Sequence, residues 1–309
     1  MKRALILTIS STIAALSACG FYGGFANVRQ EFHYSYALQP RATLQVENTN
    51  GEIQVAGWDR ETIDVSGTKA AASEDRLGQI HPTITVDPNG KSASVITNAP
   101  HFLPGSWYVN YLIRVPRRIT ITRAHSTNGN ISAEDLEGGG RIESTNGKIS
   151  LARDRGDYDV ETTNGNLSLE ECIGRQKVES TNGSINGHLK TGSIRAQSVN
   201  GGVDVTILSP ENGQPISATT TNGGVTLALA QFVANPVHVQ TTNGSVTLHV
   251  PETANAHVEL PTGMGGITND LTLRGDVHEA KHDVSGQLGE GGPRISLTSS
   301  MGSVHLQRY

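Results

Sequence analysis

The sequence predicts an all-β fold, a parallel β-solenoid with coils about 18 residues long, on three observations. The stretch Ile142-Glu143-Ser144-Thr145-Asn146-Gly147-Lys148-Ile149-Ser150-Leu151 recurs along the chain. Aligned on its Thr, copies fall at Thr127, Thr145, Thr163, Thr181 and Val199 in steps of 18, then at Thr221 and Thr242 after steps of 22 and 21. An isolated copy surrounds Thr49, and weaker ones surround Gly263 and Ser300, ten in all. Within each copy, apolar and polar residues alternate with the period of two that marks a half-buried strand. Composition agrees, since 35 Gly, 12 Pro and 5% aromatic residues suit short strands and many turns.

Two architectures fit this pattern. Asn-Gly between alternating strands is a strong local signal for a β-hairpin with a type I′ turn, which would pair Ile142 with Leu151 in an antiparallel meander. A meander gives no reason for a constant step. A solenoid does: each repeat is one coil, and equal lengths keep every column in register with the coil about 4.8 Å away. The structural turns are then Asn128-Gly129, Asn146-Gly147, Asn164-Gly165 and Asn182-Gly183, with stacked Asn side chains hydrogen-bonded from coil to coil.

Taken in order, residues 1–18 read as an export signal, with Met1-Lys2-Arg3 as a charged head and Ala4 to Ala15 as an apolar run too short to span a bilayer. Removing Lys2 and Arg3 takes the formal charge from −5 to −7. Residues 19–41 read as a tether, with no sustained period in Gly20 to about Gln39. Residues 42–123 form an N-terminal capping region. Strands are predicted around Leu44–Val46, Ile53–Val55, Ile63–Val65, Thr83–Val86 and Ala93–Val95, a short helix within Thr68 to Gln79, a loop over Pro100 to Pro104, and a strand from Trp107 to Val115. Residues 124–309 form the solenoid.

Inside the repeats the columns assign an interior. Ala124, Ile142, Val160, Val178, Ala196, Ala218 and Val239 stand three positions before the anchor; Ile131, Ile149, Leu167, Ile185, Val203, Val225 and Val246 stand four after it. The position before the anchor is always Ser or Thr, from Ser126 to Thr241. Alternation puts these columns on one face, so aliphatic ladders run beside a hydroxyl ladder. Glu143, Glu161 and Glu179 form an outward column, compensated by the neighbouring column of Arg141, Asp159, Lys177 and Arg195.

Two resemblances follow from particular residues. Leu16-Ser17-Ala18-Cys19 resembles a bacterial lipobox, which implies cleavage before Cys19, its acylation with palmitate-type chains, and anchoring in a membrane. Gly20 in place of Asp implies the outer membrane, facing the periplasm or the surface. Tyr111-Leu112-Ile113-Arg114-Val115-Pro116, then Ile119-Thr120-Ile121 and Ser126-Thr127-Asn128-Gly129-Asn130-Ile131, resemble the bacterial adhesin-like family of β-strand-repeat envelope proteins. That resemblance covers Ala42 to the C terminus. It implies a β-solenoid displayed at the cell envelope, with no catalytic residues to carry over and with envelope-stress sensing as a further role in some relatives.

For function, the residues themselves exclude more than they assign. No block of basic charge invites nucleic acid. The sequence holds no Gly-x-Ser-x-Gly, Walker or Cys-x-x-Cys motif, so no catalytic residue, cofactor or metal is expected. Cys172, the thiol that remains after Cys19, reads as an apolar filler. His278 and His282 have a helical metal-ligand spacing in a segment that reads as loop and strand, and are taken as solvent-exposed. The pattern breaks opposite the Asn-Gly corner, and binding is expected there: Asp154, Arg155, Asp157 and Asp159, with Glu211 and Asn212 in the longest insertion. The partners implied are a membrane through Cys19 and a polysaccharide, peptidoglycan or envelope protein. The rival reading is a polysaccharide-active enzyme using the same aspartates.

Overall fold

The computed structural model describes residues 26–100 and 105–309. The export signal, Cys19 and most of the loop expected after Pro100 lie outside the described residues.

Strands dominate. The N-terminal part holds β1 (Val28–Ala37), β2 (Thr43–Asn50), β3 (Ile53–Trp58), β4 (Thr62–Ala71), helix α1 (Glu74–Leu77), β5 (His81–Val86), β6 (Ser92–Asn98) and β7 (Trp107–Pro116). The repeats supply β8 (Thr120–Asn128), β9 (Ile131–Glu134), β10 (Gly140–Asn146), β11 (Ile149–Ala152), β12 (Tyr158–Asn164) and β13 (Leu167–Asn182). They continue through β14 (Ile185–Asn200), β15 (Val203–Pro210), β16 (Ile216–Asn222), β17 (Val225–Leu229), β18 (Val237–Asn243) and β19 (Val246–Val250). The C-terminal part is β20 (Ala256–Pro261), β21 (Ile267–Asn269), β22 (Arg274–Ala280), β23 (Asp283–Leu288), β24 (Arg294–Ser299) and β25 (Val304–Arg308).

The repeats stack in parallel. Ile142 is opposite Val160 and Ala124, and Ile149 is opposite Leu167 and Ile131, so the solenoid is the observed fold and the antiparallel meander is not. Each coil has a strand segment before the Asn-Gly corner, one after it and a return edge closing the loop, and in β13 and β14 the strand runs unbroken through that edge. The anchor-minus-three and anchor-plus-four columns are buried throughout, as alternation requires.

The corner accounts for its own polar groups. The Gly147 N–H donates to the Asn164 carbonyl of the next coil at 3.0 Å, and the Gly147 carbonyl accepts the Thr162 hydroxyl of that coil at 3.1 Å. Ser144, Ser180, Ser198, Thr220 and Thr241 donate in the same way to Gly129, Gly165, Gly183, Gly201 and Gly223. The hydroxyl ladder therefore exists because a carbonyl turned inward at each corner needs a buried donor. Glycine is required there by close approach, since a Cβ on Gly165 would sit 2.0 Å from the Gly147 carbonyl oxygen. Outside, each Asn amide donates to the one in the coil before it: Asn146 to Asn128, Asn164 to Asn146 and Asn182 to Asn164, all at 2.8 Å.

The ends depart from sequence order. β2 pairs with both β6 and β8, and β3 with both β7 and β9, so the coil first in sequence sits second in the stack. At the other end β24–β25 lie between β18–β19 and the outermost pair β20–β21. Antiparallel strands finish both ends: β1 on β4 and β5 on β6 at one, β23 on β20 and β22 on β23 at the other. Part of the expected tether is thus a strand. The helix expected within Thr68 to Gln79 is the single turn α1, because β4 runs on to Ala71.

Candidate functional site: the return edge

The return edge is where coil length varies and where the two uniform faces meet. Gly156 is opposite Gly174 through the Arg155–Ile173 bridge, Gly174 is opposite Gly192, and Gly192 is opposite Pro210. Gly156, Gly174 and Gly192 have φ of 136°, 115° and 134°, left-handed values that favour a residue without Cβ. One step earlier Asp135, Arg153 and Glu171 share φ of 58°, 57° and 56°, so three coils make the same turn with charged side chains outward.

These outward side chains alternate in sign. Arg153 bonds Asp135 at 3.1 Å in the coil before, and also Glu134; Lys190 bonds Glu171 at 2.9 Å; Arg117 bonds Asp59 at 2.8 Å and lies 3.7 Å from Asp135. The Lys190 ammonium beside Glu171 holds that carboxyl below its usual range. A groove of about 260 Å³ runs over this edge, lined by Arg117, Asp135, Glu137, Arg153, Arg155, Glu171, Ile173 and Lys190. Glu137 is bonded by Arg118 at 3.2 Å. Arg155 is exposed and, among the described residues, its guanidinium has no ion-pair partner.

The residues expected to bind divide sharply. Asp154 is fully buried and faces inward in a column with Leu136 and Cys172, which corrects its assignment to the surface. Its Oδ1 accepts the Leu136 N–H at 2.8 Å, while Oδ2, the Tyr158 hydroxyl and the Gln176 Oε1 are buried with no partner among the described residues. Burial pushes the Asp154 carboxyl up to about 7, against the lowering effect of the Leu136 hydrogen bond. Burial also pushes the Cys172 thiol up to about 12, which leaves it unreactive.

Asp157 and Asp159 are outward but occupied. Asp157 accepts both the backbone N–H of Arg175 at 3.0 Å and its guanidinium at 2.6 Å, and the backbone bond leads in holding its carboxyl below the usual range. Asp159 is 3.1 Å from Lys177 and 3.6 Å from Arg141. Glu211 and Asn212 are exposed on the same edge, three coils beyond Gly156, in a loop pinned by the buried Asn235 amide at the Glu211 and Gln214 carbonyls. The edge brings these segments into one line and not into one cluster.

Elsewhere the outward Glu143–Glu161–Glu179 column is in register and compensated as expected: Glu143 by Arg123 at 2.9 Å and by Arg141, Glu161 by Arg141 at 3.6 Å, Glu179 by Lys177 at 3.4 Å. His278 lies on exposed β22 and His282 in the turn after it, so their spacing does not align them on a helix. Sequence pattern alone does not single out Arg117, Asp135, Glu137, Arg153, Glu171 or Lys190 as groove residues. Part of the signal is present, because Asp135, Arg153 and Glu171 recur at the coil step of 18 with alternating charge.

Fold and edge together define a capped parallel β-solenoid with one irregular, charged side. The chain belongs to the Toastrack DUF4097 family, whose profile matches residues 42–307. No curated protein matches it significantly. A solved candidate adhesin from Bacteroides fragilis is similar at 11% identity, with 91% of this chain and 97% of that chain covered and a TM-score of 0.38. A candidate adhesin from Parabacteroides distasonis is similar at 10% identity, covering 90% and 97%, with a TM-score of 0.35. A candidate lipid-binding protein from the same species stands at 9% identity, 91% and 98% coverage, and a TM-score of 0.33.

Proposed function

We propose that this chain is a non-catalytic, lipid-anchored protein of the bacterial envelope that binds an acidic envelope polymer along its return edge. The carrying observation is the charged groove in which Arg117, Arg153 and Lys190 are neutralised by their neighbours and Arg155 is left to meet an anion. An exposed guanidinium presents a planar fork suited to a sugar or peptidoglycan carboxylate. Binding fits the edge better than hydrolysis does. A glycosidase needs two carboxyl groups free to exchange protons and approach the sugar, whereas Asp157 and Asp159 are tied into ion pairs between coils and Asp154 is inside.

The purified mature protein should retain acidic glycans or peptidoglycan fragments on a binding panel, and Arg155→Ala should weaken retention about tenfold, the value of one charge-assisted contact. Turnover of any panel member, lost on Asp157→Ala, would overturn the non-catalytic reading. The anchor is a separate component of the proposal: Cys19→Ser should abolish acyl labelling and release the protein from membranes, and persistent labelling would refute the lipobox.

A further inference from the structure

The two ends of the solenoid differ in their exposed tyrosine rings, which β1 carries and β22 does not. At the N-terminal end the last strands are β1 and β5, each paired on one side only among the described residues. Register places Tyr36 opposite Ile63, Tyr34 opposite Val65 and Phe32 opposite Gly67. Ile63 and Val65 are fully buried core residues, so Phe32, Tyr34 and Tyr36 stand on the core face of the sheet. Across the interior, Ile84 and Val86 of β5 are opposite the buried Val95 and Ala93 and also face inward. Within the chain Phe32 packs on Tyr111 at 5.6 Å between ring centroids. Tyr34 and Tyr36 nevertheless remain 39% and 40% exposed, because among the described residues no further rung stacks beyond β1. The opposite end is closed differently: Leu271 and Leu273 pack on the core, and the terminal strand β22 is exposed along its whole length with Arg274, Asp276, His278 and Glu279.

The geometry points to the lipid bilayer as the surface that covers the N-terminal end, so that the solenoid stands on the membrane with β22 at its far tip. The inference rests on the Cys19 anchor proposed above. Eight residues, Gly20 to Asn27, separate Cys19 from Val28, a span of at most about 30 Å when fully extended. None of the eight is charged and three are aromatic, Phe21, Tyr22 and Phe25. Tyrosine rings with an apolar body and a polar tip partition to the headgroup level of a bilayer. Tyr34 and Tyr36 thus lie half-exposed on the core face of the end strand nearest Cys19 in sequence, with Arg29, Glu31 and His33 on its outer face, while the far end strand β22 exposes Arg274, Asp276, His278 and Glu279 and no Phe, Tyr or Trp ring.

The test uses the full lipoprotein, purified from bacterial membranes and reconstituted in vesicles of phosphatidylethanolamine and phosphatidylglycerol. Nitroxide labels are placed at Tyr36→Cys, at Tyr34→Cys and at His278→Cys. The buried Cys172 thiol, pushed up to about 12, will not compete for the label. Circular dichroism checks that each variant keeps the β spectrum of the parent, and mass spectrometry reports acylation of Cys19. The labels at 34 and 36 should show a several-fold loss of collision with an aqueous nickel complex and a gain of collision with oxygen, and the label at 278 should show neither. Acylated protein in which all three labels are equally accessible to nickel would overturn the orientation and leave the anchor standing. An unacylated Cys19 would overturn the anchor, and the orientation with it.

Discussion

Asp154 shows what a single inward position does. Desolvation raises its carboxyl in the folded chain to about 7 from an ordinary 3.8, so folding favours the protonated form. Its contribution is fully present below the unfolded value and is lost as pH rises through about 7, at roughly 1.4 kcal/mol per pH unit within that window. Denaturant unfolding at pH 5 and pH 8 should therefore show a less stable protein at pH 8. Asp154→Asn, which keeps an acceptor for the Leu136 N–H, should remove most of that difference, and an unchanged pH slope would show that the carboxyl ionises freely. The depressed carboxyls of Glu143 and Asp157 act in the opposite sense, losing their contribution only in acid. The inward direction of Asp154 was readable: the residues 18 before and 18 after it are Leu136 and Cys172, both buried. Nearness along the chain hides it, since Asp154 sits beside Asp157 and Asp159 in sequence, whereas columns in a solenoid run across the chain.

For the single coil, the corner is the unit that the sequence describes most completely. Thr162→Val keeps the shape of the buried side chain and removes the donor to the part-buried Gly147 carbonyl, leaving that acceptor unmet. Thermal or denaturant unfolding should register a loss of about 1–3 kcal/mol, and Thr163→Val, on the exposed neighbouring position, should register almost none. Equal effects of the two would mean that the hydroxyl ladder is decorative. The Asn-Gly pair itself was legible as a turn but ambiguous in its pairing. A hairpin and a solenoid corner ask for the same dipeptide, and only the constant coil length separated them. β1 was illegible for another reason. Phe32, Tyr34 and Tyr36 do alternate, but the partner that makes them a strand is β4, about thirty residues on, and no local period names it.

Across the whole molecule, the order of coils in space has consequences that the order in sequence hides. The final strands β24 and β25 are an interior rung, bonded to β18 and β19 on one side and to β20 and β21 on the other. Deleting residues 294–309 should therefore break the stack and detach the C-terminal cap, exposing the paired edges of β18 and β19 and promoting aggregation. Light scattering and size-exclusion chromatography check this directly; a truncated protein that stays monomeric with an unaltered melting temperature would contradict the insertion.

By itself the sequence determined the all-β class, the parallel stacking, the inward columns, the Asn-Gly corners and the compensated Glu ladder. Each of these repeats at a fixed step, and a constraint imposed at every coil leaves a period that can be counted. Tertiary structure decided the swapped order of the end coils, the antiparallel strands that close both ends and the strand within the expected tether. Each of those depends on a contact made once, between segments whose separation follows no period, and it takes form only when the coils are stacked.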